Sequence, residues 1–285
     1  MKVIRDPGRL NKLLNGPRRS ARSIGFVPTM GALHFGHLSL IKQARQDNKI
    51  VVVSIFVNPA QFGPKEDLNT YPCTLRNDFA LCRKAGVDLV FLPDSKVMYL
   101  EGFSSFVNVE KLSDMLCGVT RPGHFRGVAT VMAKLLNIVA PSVLYLGQKD
   151  AQQAVIIKKM VRDLNFPVKV KVMPTVREKS GLAMSSRNSY LNEGQKLKAL
   201  VLSKALCLAK SLIDHGQRDA SRIIQRMKEL IGRKKQVIID YIAIVDLEEL
   251  KVIKKINRNC MICLAVKIGK VRLIDNAFIH KVADV

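Results

Sequence analysis

Along residues 23–175, short apolar runs alternate with segments whose apolar positions recur every three to four residues. Val51-Val52-Val53-Ser54-Ile55-Phe56-Val57 is nearly all apolar, as a strand covered on both faces is. Leu38, Leu40, Ile41 and Ala44 instead follow helical spacing, with polar residues between them. On this basis strands are predicted near 24–27, 51–57, 88–92, 143–146 and 168–173, and helices near 37–48, 74–86, 127–138 and 150–164. The alternation predicts an α/β, Rossmann-like, doubly wound parallel sheet. From Val176 the pattern changes. Two amphipathic helices near 193–214 and 218–232, announced by Asn192 and Asp219, precede β-rich segments near 237–245, 260–267 and 271–274. The expected organisation is a nucleotide-binding domain over 1–175 and a smaller α+β domain over 176–285 that closes over the first.

Ligands of such sheets bind beyond the carboxyl ends of the strands. Polar and unusual residues collect there after four strands. After the first comes Pro28-Thr29-Met30-Gly31-Ala32-Leu33-His34-Phe35-Gly36-His37, and after the second Asn58-Pro59-Ala60-Gln61. After Val143-Leu144-Tyr145-Leu146 comes Gly147-Gln148-Lys149-Asp150, and after the last strand Pro174-Thr175-Val176-Arg177-Glu178. The first cluster opens a helix, whose unpaired N–H groups and partial positive charge favour an anion, and His34 and His37 add side-chain donors. Gly31 and Gly36 allow the backbone to approach a ligand. The spacing Gly31-x4-Gly36 imitates a phosphate-cradling Walker loop, but His37-Leu38 replaces the Lys-Ser/Thr pair that loop requires. A histidine metal site is equally weak, because no further ligand cluster lies nearby.

Composition limits the class. At 285 residues with 48% hydrophobic content the chain can bury a substantial core. Its N-terminus has no apolar run of signal-peptide length, and residues 50–57 are too few to cross a bilayer, so a soluble, cytoplasmic protein with no membrane partner is expected. Six cysteines without a disulfide framework agree with a reducing compartment. Cys260 and Cys263 form a C-x-x-C inside a strand-like run, where residues three apart face opposite ways, and are expected to be core thiols. The net charge of +24 raises the prospect of nucleic acid. Distribution argues against it, since residues 1–175 carry 25 Lys/Arg against 12 Asp/Glu and residues 176–285 carry 22 against 11. Trp is absent and aromatics are few, which leaves little for base stacking. A solvated basic surface that draws in anionic substrates is the expected meaning.

Taken together these blocks resemble the pantothenate synthetases (pantoate:β-alanine ligases). The matching stretches are Pro28 to His37, Phe56-Val57-Asn58-Pro59-Ala60-Gln61-Phe62, Arg121-Pro122-Gly123-His124-Phe125-Arg126-Gly127-Val128, Gly147-Gln148-Lys149-Asp150-Ala151-Gln152-Gln153, Pro174 to Glu178 and Met184-Ser185-Ser186-Arg187-Asn188. Less distinctive similarity extends to Arg272-Leu273-Ile274-Asp275-Asn276, so the chain is covered almost end to end. H-x-G-H alone would indicate only the wider nucleotidyltransferase group, including class I aminoacyl-tRNA synthetases. The resemblance implies a cytoplasmic, ATP-binding ligase of pantothenate and coenzyme A biosynthesis, a homodimer with Mg2+ accompanying ATP. Pantoate would be adenylated with release of pyrophosphate, and β-alanine would then displace AMP.

The resemblance also implies the site. His34, His37, Lys149, Ser185 and Arg187 are expected to act on the phosphates. ATP contacts are expected along Met30, Gly31, Ala32, Leu33, His34, Phe35, Gly36 and His37, at Gly147, Gln148, Lys149 and Asp150, at Val176, and at Met184, Ser185, Ser186 and Arg187. Asn58, Gln61 and Gln153 are expected at pantoate. Asp78 aligns with a carboxylate near pantoate and magnesium, with an ordinary surface helix Asp as the alternative. The turn Arg121 to His124 has no assigned role, either chemical or structural. Ser180 and Cys73 depart from the usual pattern, which has an acidic residue and an Arg there. Two competing functions stand beside this one: another adenylate-forming or nucleotidyl-transferring enzyme with a different acceptor, and an RNA-binding protein on the same fold.

Overall fold

A computed structural model describes residues 1–64 and 66–280 and divides into two compact units, Met1–Gln148 with Ile156–Pro174, and Lys149–Val155 with Thr175–Val285. The first unit contains β1 (Lys2–Ile4), α1 (Pro7–Arg19), β2 (Ile24–Thr29), α2 (Phe35–Asp47), β3 (Ile50–Ile55), α3 (Leu75–Lys84) and β4 (Leu89–Phe91). The short helices α4 (Ser95–Met98) and α5 (Cys117–Thr120) follow, then α6 (His124–Val139), β5 (Val143–Gly147), α7 (Ala151–Asp163), whose first residues belong to the second unit, and β6 (Lys169–Met173). All six strands are parallel, in the order β1-β4-β3-β2-β5-β6. The chain leaves β2 toward β3 on one side and later returns to β5 on the other, so the switch point lies between β2 and β5.

The expected, nearly all-apolar character of β3 has its cause in burial. Val51, Val53 and Ile55 join Leu40, Ile41 and Ala44 of α2 in one core, while Val52, Phe26 and Leu144 on the alternate positions are also fully buried. Pairing between β2 and β5 spans only Gly25–Val143 and Phe26–Leu144. Beyond that rung β2 pairs with β3 alone, which accommodates Pro28 in a central strand despite its missing N–H. The strand expected over 51–57 ends at Ile55, where Phe56 donates its N–H to the Thr29 carbonyl and the chain turns at Asn58. The N-terminal β1 and α1 were not legible. Helix α1 contains two glycines and Pro17, and its core face is only Leu10 and Leu14, fixed by an Asp6 cap and by packing on α6.

The second unit contains α8 (Glu193–Asp214), α9 (Ala220–Gly232) and an antiparallel sheet β7 (Val237–Val245), β8 (Cys260–Ile268), β9 (Val271–Ile279). Asn192 caps α8 in a capping box with Gln195, and Asp219 caps α9 through the N–H groups of Ser221 and Arg222. Ile262, Leu264 and Val266 of β8 pack with Leu202, Ala205 and Leu206 of α8 and Ile223 and Met227 of α9. Cys260 and Cys263 are buried in β8, and burial pushes the Cys260 thiol up to about 11. Strand β9 runs past the expected 271–274, because the buried polar pair Asp275-Asn276 that breaks the apolar pattern finds partners elsewhere in this unit. Among the described residues no helix is long and apolar enough to cross a membrane.

Candidate active site

In the first unit the H-x-G-H segment forms the link from β2 to α2. His34 is the N-cap of α2. Its Nδ1 accepts from Gly36 N at 3.1 Å, and its own N–H reaches His37 Nδ1 at 3.3 Å, a reciprocal capping box. Each ring therefore uses Nδ1 as an acceptor, which leaves the proton on Nε2. The rings stack with centroids 4.1 Å apart. Two Nε2–H donors are thus presented side by side at the start of a helix, where the dipole adds positive potential.

The preceding turn has φ of +83° at Gly31 and +49° at Ala32. A Cβ on Gly31 would lie 3.1 Å from Ile55 and 3.2 Å from the Asp78 carboxylate. Glycine at 31 is therefore required by the protein's own turn and packing. Asp78 is fully buried, so it is no surface helix residue. Its carboxylate accepts Leu33 N at 2.8 Å, Ala32 N at 3.1 Å and Thr74 Oγ1 at 3.0 Å, fastening the H-x-G-H turn to α3.

Beyond β3, Asn58 is buried with all four polar positions used. Its Oδ1 accepts Tyr99 Oη at 2.7 Å and Ala60 N at 3.3 Å, and its Nδ2 donates to Gln61 Oε1 and Gly127 O, both at 3.1 Å. Burial pushes the Tyr99 hydroxyl up to about 12, so it stays a proton donor to Asn58. Asn58 orients Gln61, whose Nε2 reaches Met30 Sδ at 3.0 Å. Each end of the Gln61 amide is used once in these contacts, and an amide carries two hydrogens and two lone pairs, so capacity for a ligand's hydroxyl or carboxylate remains. Gly147 ends β5, and Gln148 follows it at the start of a 3-10 turn.

In the second unit Lys149 and Asp150 form a 3.6 Å ion pair, and Asn276 Nδ2 donates to the Lys149 carbonyl at 2.9 Å. Gln153 lies on the first turn of α7, part exposed. Val176 O accepts Met184 N at 3.0 Å and Arg177 bridges Ala183, so the segments around 176 and 184 lie side by side. Arg177 makes a bidentate pair with the buried Asp275 at 2.6 and 3.0 Å, and that hydrogen-bonded carboxylate raises the Arg177 pKa against the opposing effect of burial. Glu178 Oε1 accepts Asn188 Nδ2 at 2.8 Å. The Ser185 hydroxyl caps a 3-10 turn over Ser186–Tyr190 by accepting Arg187 N at 3.3 Å. Sequence patterns gave no signal for Tyr99, Asp275 or Asn276 as partners of these motifs, because each meets its partner only through the fold.

Chains similar to this one share its length and its architecture. The family model described as pantoate-beta-alanine ligase matches residues 2–278. The chain belongs to the pantoate–β-alanine ligase family. The pantothenate synthetase of Acetivibrio thermocellus is 48% identical over 98% of this chain and all of its own length, and that of Fervidobacterium nodosum is 51% identical over the same shares. Among solved structures, the pantothenate synthetase of Thermus thermophilus superposes with a TM-score of 0.93 at 43% identity, covering 97% of this chain and 99% of that one. The Francisella tularensis pantoate-beta-alanine ligase, complexed with β-γ ATP and β-alanine, superposes with a TM-score of 0.80 at 37% identity and 97% coverage of both chains. The six-stranded parallel sheet and the smaller antiparallel sheet of this chain thus match the fold of a solved pantothenate synthetase.

Proposed function

We infer that this chain condenses pantoate with β-alanine, activating the pantoate carboxylate with ATP and releasing pyrophosphate and then AMP. The observation that carries the reading is the His34/His37 pair, with two Nε2–H donors at the start of α2 beside the β2/β5 switch point. Family membership and the ligands of the Francisella tularensis relative support the same substrates. In the first step a pantoate carboxylate oxygen attacks the α-phosphorus, and the bond to the pyrophosphate oxygen breaks with its electron pair. Charge grows on that leaving oxygen, so catalysis rests on positioning and on donors aimed at it. His34 and His37 supply neutral Nε2–H hydrogen-bond donors there. Lys149 and Arg187 supply positive charge, and the Ser185 and Ser186 hydroxyls supply further donors. In the second step the β-alanine amine attacks the acyl carbon, AMP leaves with the carbon–oxygen bond pair, and the amine loses a proton.

The remaining assignments follow the chemistry of each group. Backbone from Met30 to Gly36, with Gly147, Gln148, Val176 and Met184, contacts the nucleotide, and Asp150 takes its ribose hydroxyls. Gln61 and Gln153 bind pantoate through neutral amides, while Asn58, whose polar positions are all engaged, acts by orienting Gln61. Mg2+ enters as the partner of ATP. The chain's own residues do not make a cage for it: among the described residues no three His, Cys, Asp or Glu side chains gather, and the Asp78 carboxylate is committed to backbone N–H groups. Phosphate oxygens and water suit that ion without protein ligands. A cytoplasmic homodimer without a nucleic-acid partner completes the reading: six free cysteines agree with a reducing compartment, the dispersed charge argues against nucleic acid, and the dimer follows from family resemblance.

The deciding experiment is exchange of labelled pyrophosphate into ATP, with and without pantoate. Pantoate is expected to stimulate exchange in the absence of β-alanine, because the adenylate forms before the amine enters. Exchange that ignores pantoate and demands another acid, or an amino acid, would overturn the assignment.

A further inference from the structure

The turn Arg121-Pro122-Gly123-His124 and the glycine that follows it have no share in the reaction outlined above, yet their polar groups converge on one short backbone segment. Arg121 grips Glu66 with two bonds, Nε to Oε1 at 2.7 Å and Nη2 to Oε2 at 2.6 Å. Its Nη1 lies 2.9 Å from His124 Nε2. Because a guanidinium only donates, His124 Nε2 must accept, and the proton of the neutral ring sits on Nδ1. That Nδ1–H donates to the Gln61 carbonyl at 2.8 Å, and Arg121 Nη2 approaches the same oxygen at 3.5 Å. Left-handed Gly123, with φ of +79°, starts α6 at His124 and aims both side chains the same way.

One turn into α6, Gly127 completes the arrangement. A Cβ there would fall 2.1 Å from the Ala60 carbonyl oxygen and 2.7 Å from Gln61 Cα, so no side chain larger than hydrogen fits. The Gly127 carbonyl in turn receives Asn58 Nδ2. Arg121, His124 and Gly127 therefore hold the backbone of the Pro59–Gln61 turn from one side, while Asn58 holds the Gln61 side chain from the other. A charge-assisted bidentate pair and a fixed tautomer are stiff devices. Their common target is the residue whose amide must meet a hydroxylated acid.

We propose that Arg121 and His124 are positioning residues for the acid substrate: they clamp the Gln61 backbone and tie it to Glu66, so that the Gln61 amide is held ready for pantoate. The proposal rests on the reading that Gln61 binds pantoate. Neither residue is assigned contact with substrate or nucleotide.

The test measures the KM values for pantoate and for ATP in pyrophosphate exchange, with melting curves, for His124→Ala, His124→Asn, Arg121→Lys, Gln61→Ala and the double variant Gln61→Ala/His124→Ala. His124→Ala is expected to raise the pantoate KM on the order of tenfold while the ATP KM moves less than about twofold. His124→Asn is expected to restore most of the loss, because an Asn amide nitrogen takes the place of Nδ1. In the Gln61→Ala background His124→Ala is expected to add little, since it acts through Gln61. If His124→Ala does not fold, Arg121→Lys, which keeps the charge and loses the fork, carries the same comparison. Independent effects of the two sites, or an equal rise in both KM values, would overturn the clamp. Should Gln61→Ala raise the pantoate KM and His124→Ala leave it unchanged, the clamp alone fails. Should Gln61→Ala leave it unchanged, the pantoate reading of Gln61 fails and the clamp falls with it.

Discussion

Replacing Asp78 separates a structural fastening from a metal ligand. The carboxylate has no exposure and accepts two backbone N–H groups, Ala32 and Leu33, together with the Thr74 hydroxyl. In Asp78→Asn the single remaining oxygen can serve Leu33 and Thr74, leaving the Ala32 N–H facing an amide NH2. Weakening the part-buried Ala32 contact costs about 1 kcal/mol, and loss of charge assistance in the others adds about 1 kcal/mol, so roughly 2 kcal/mol is expected. A unit of this size loses about 2–4 °C of melting midpoint per kcal/mol, which predicts a fall of roughly 4–8 °C. Adenylation should fall as well, because the unfastened turn carries His34. The assay is thermal unfolding by circular dichroism, paired with single-turnover adenylate formation across a Mg2+ titration. A fastening role lowers the midpoint and the maximal rate while leaving the Mg2+ dependence in place. An unchanged midpoint together with a Mg2+ requirement raised tenfold would refute the argument and make Asp78 a metal ligand.

Other expectations follow from the same geometry. His34 caps α2, and the proposed mechanism gives it a second role at the phosphates: His34→Ala should lose about 1 kcal/mol of stability and on the order of 10²–10³ in adenylation, whereas His34→Asn, a good cap, should regain the stability and not the rate. Equal recovery of both in calorimetry and single-turnover assays would show that the ring matters only as a cap. Lys149→Ala should show the rate loss alone, and a wild-type rate would remove Lys149 from the phosphate site. Arg187→Ala should depress single-turnover adenylation at saturating ATP more than it weakens pantoate binding, and a near-normal rate would reduce its loop to a connection. Burial works against ionisation of Glu66, but the hydrogen bonds and charge of Arg121 outweigh it, so its carboxyl is held below its ordinary 4.5. Its stabilisation is present above that value and lost as the pH falls through the lowered one. The melting difference between wild type and Glu66→Gln should therefore be largest near neutrality and shrink below about pH 4.5; a difference independent of pH would contradict the pair.

Local pattern determined a great deal here. The nearly all-apolar β3, the helical spacing of α2, the caps at Asn192 and Asp219 and the two buried thiols of β8 each need only a few neighbouring residues and the knowledge that apolar faces are buried. That the H-x-G-H segment opens a helix was legible for the same reason, since His34 and His37 form a capping box within four residues. Tertiary structure decided what depends on a distant partner. Asp78 finds Leu33 across 45 positions, Arg121 finds Glu66 across 55, and Arg177 finds Asp275 across 98. Each looks in sequence like an ordinary polar residue, and Asp275-Asn276 even looks like the end of a strand. A buried polar group is tolerated only where its partner is supplied, and that partner's identity is a property of the folded chain alone.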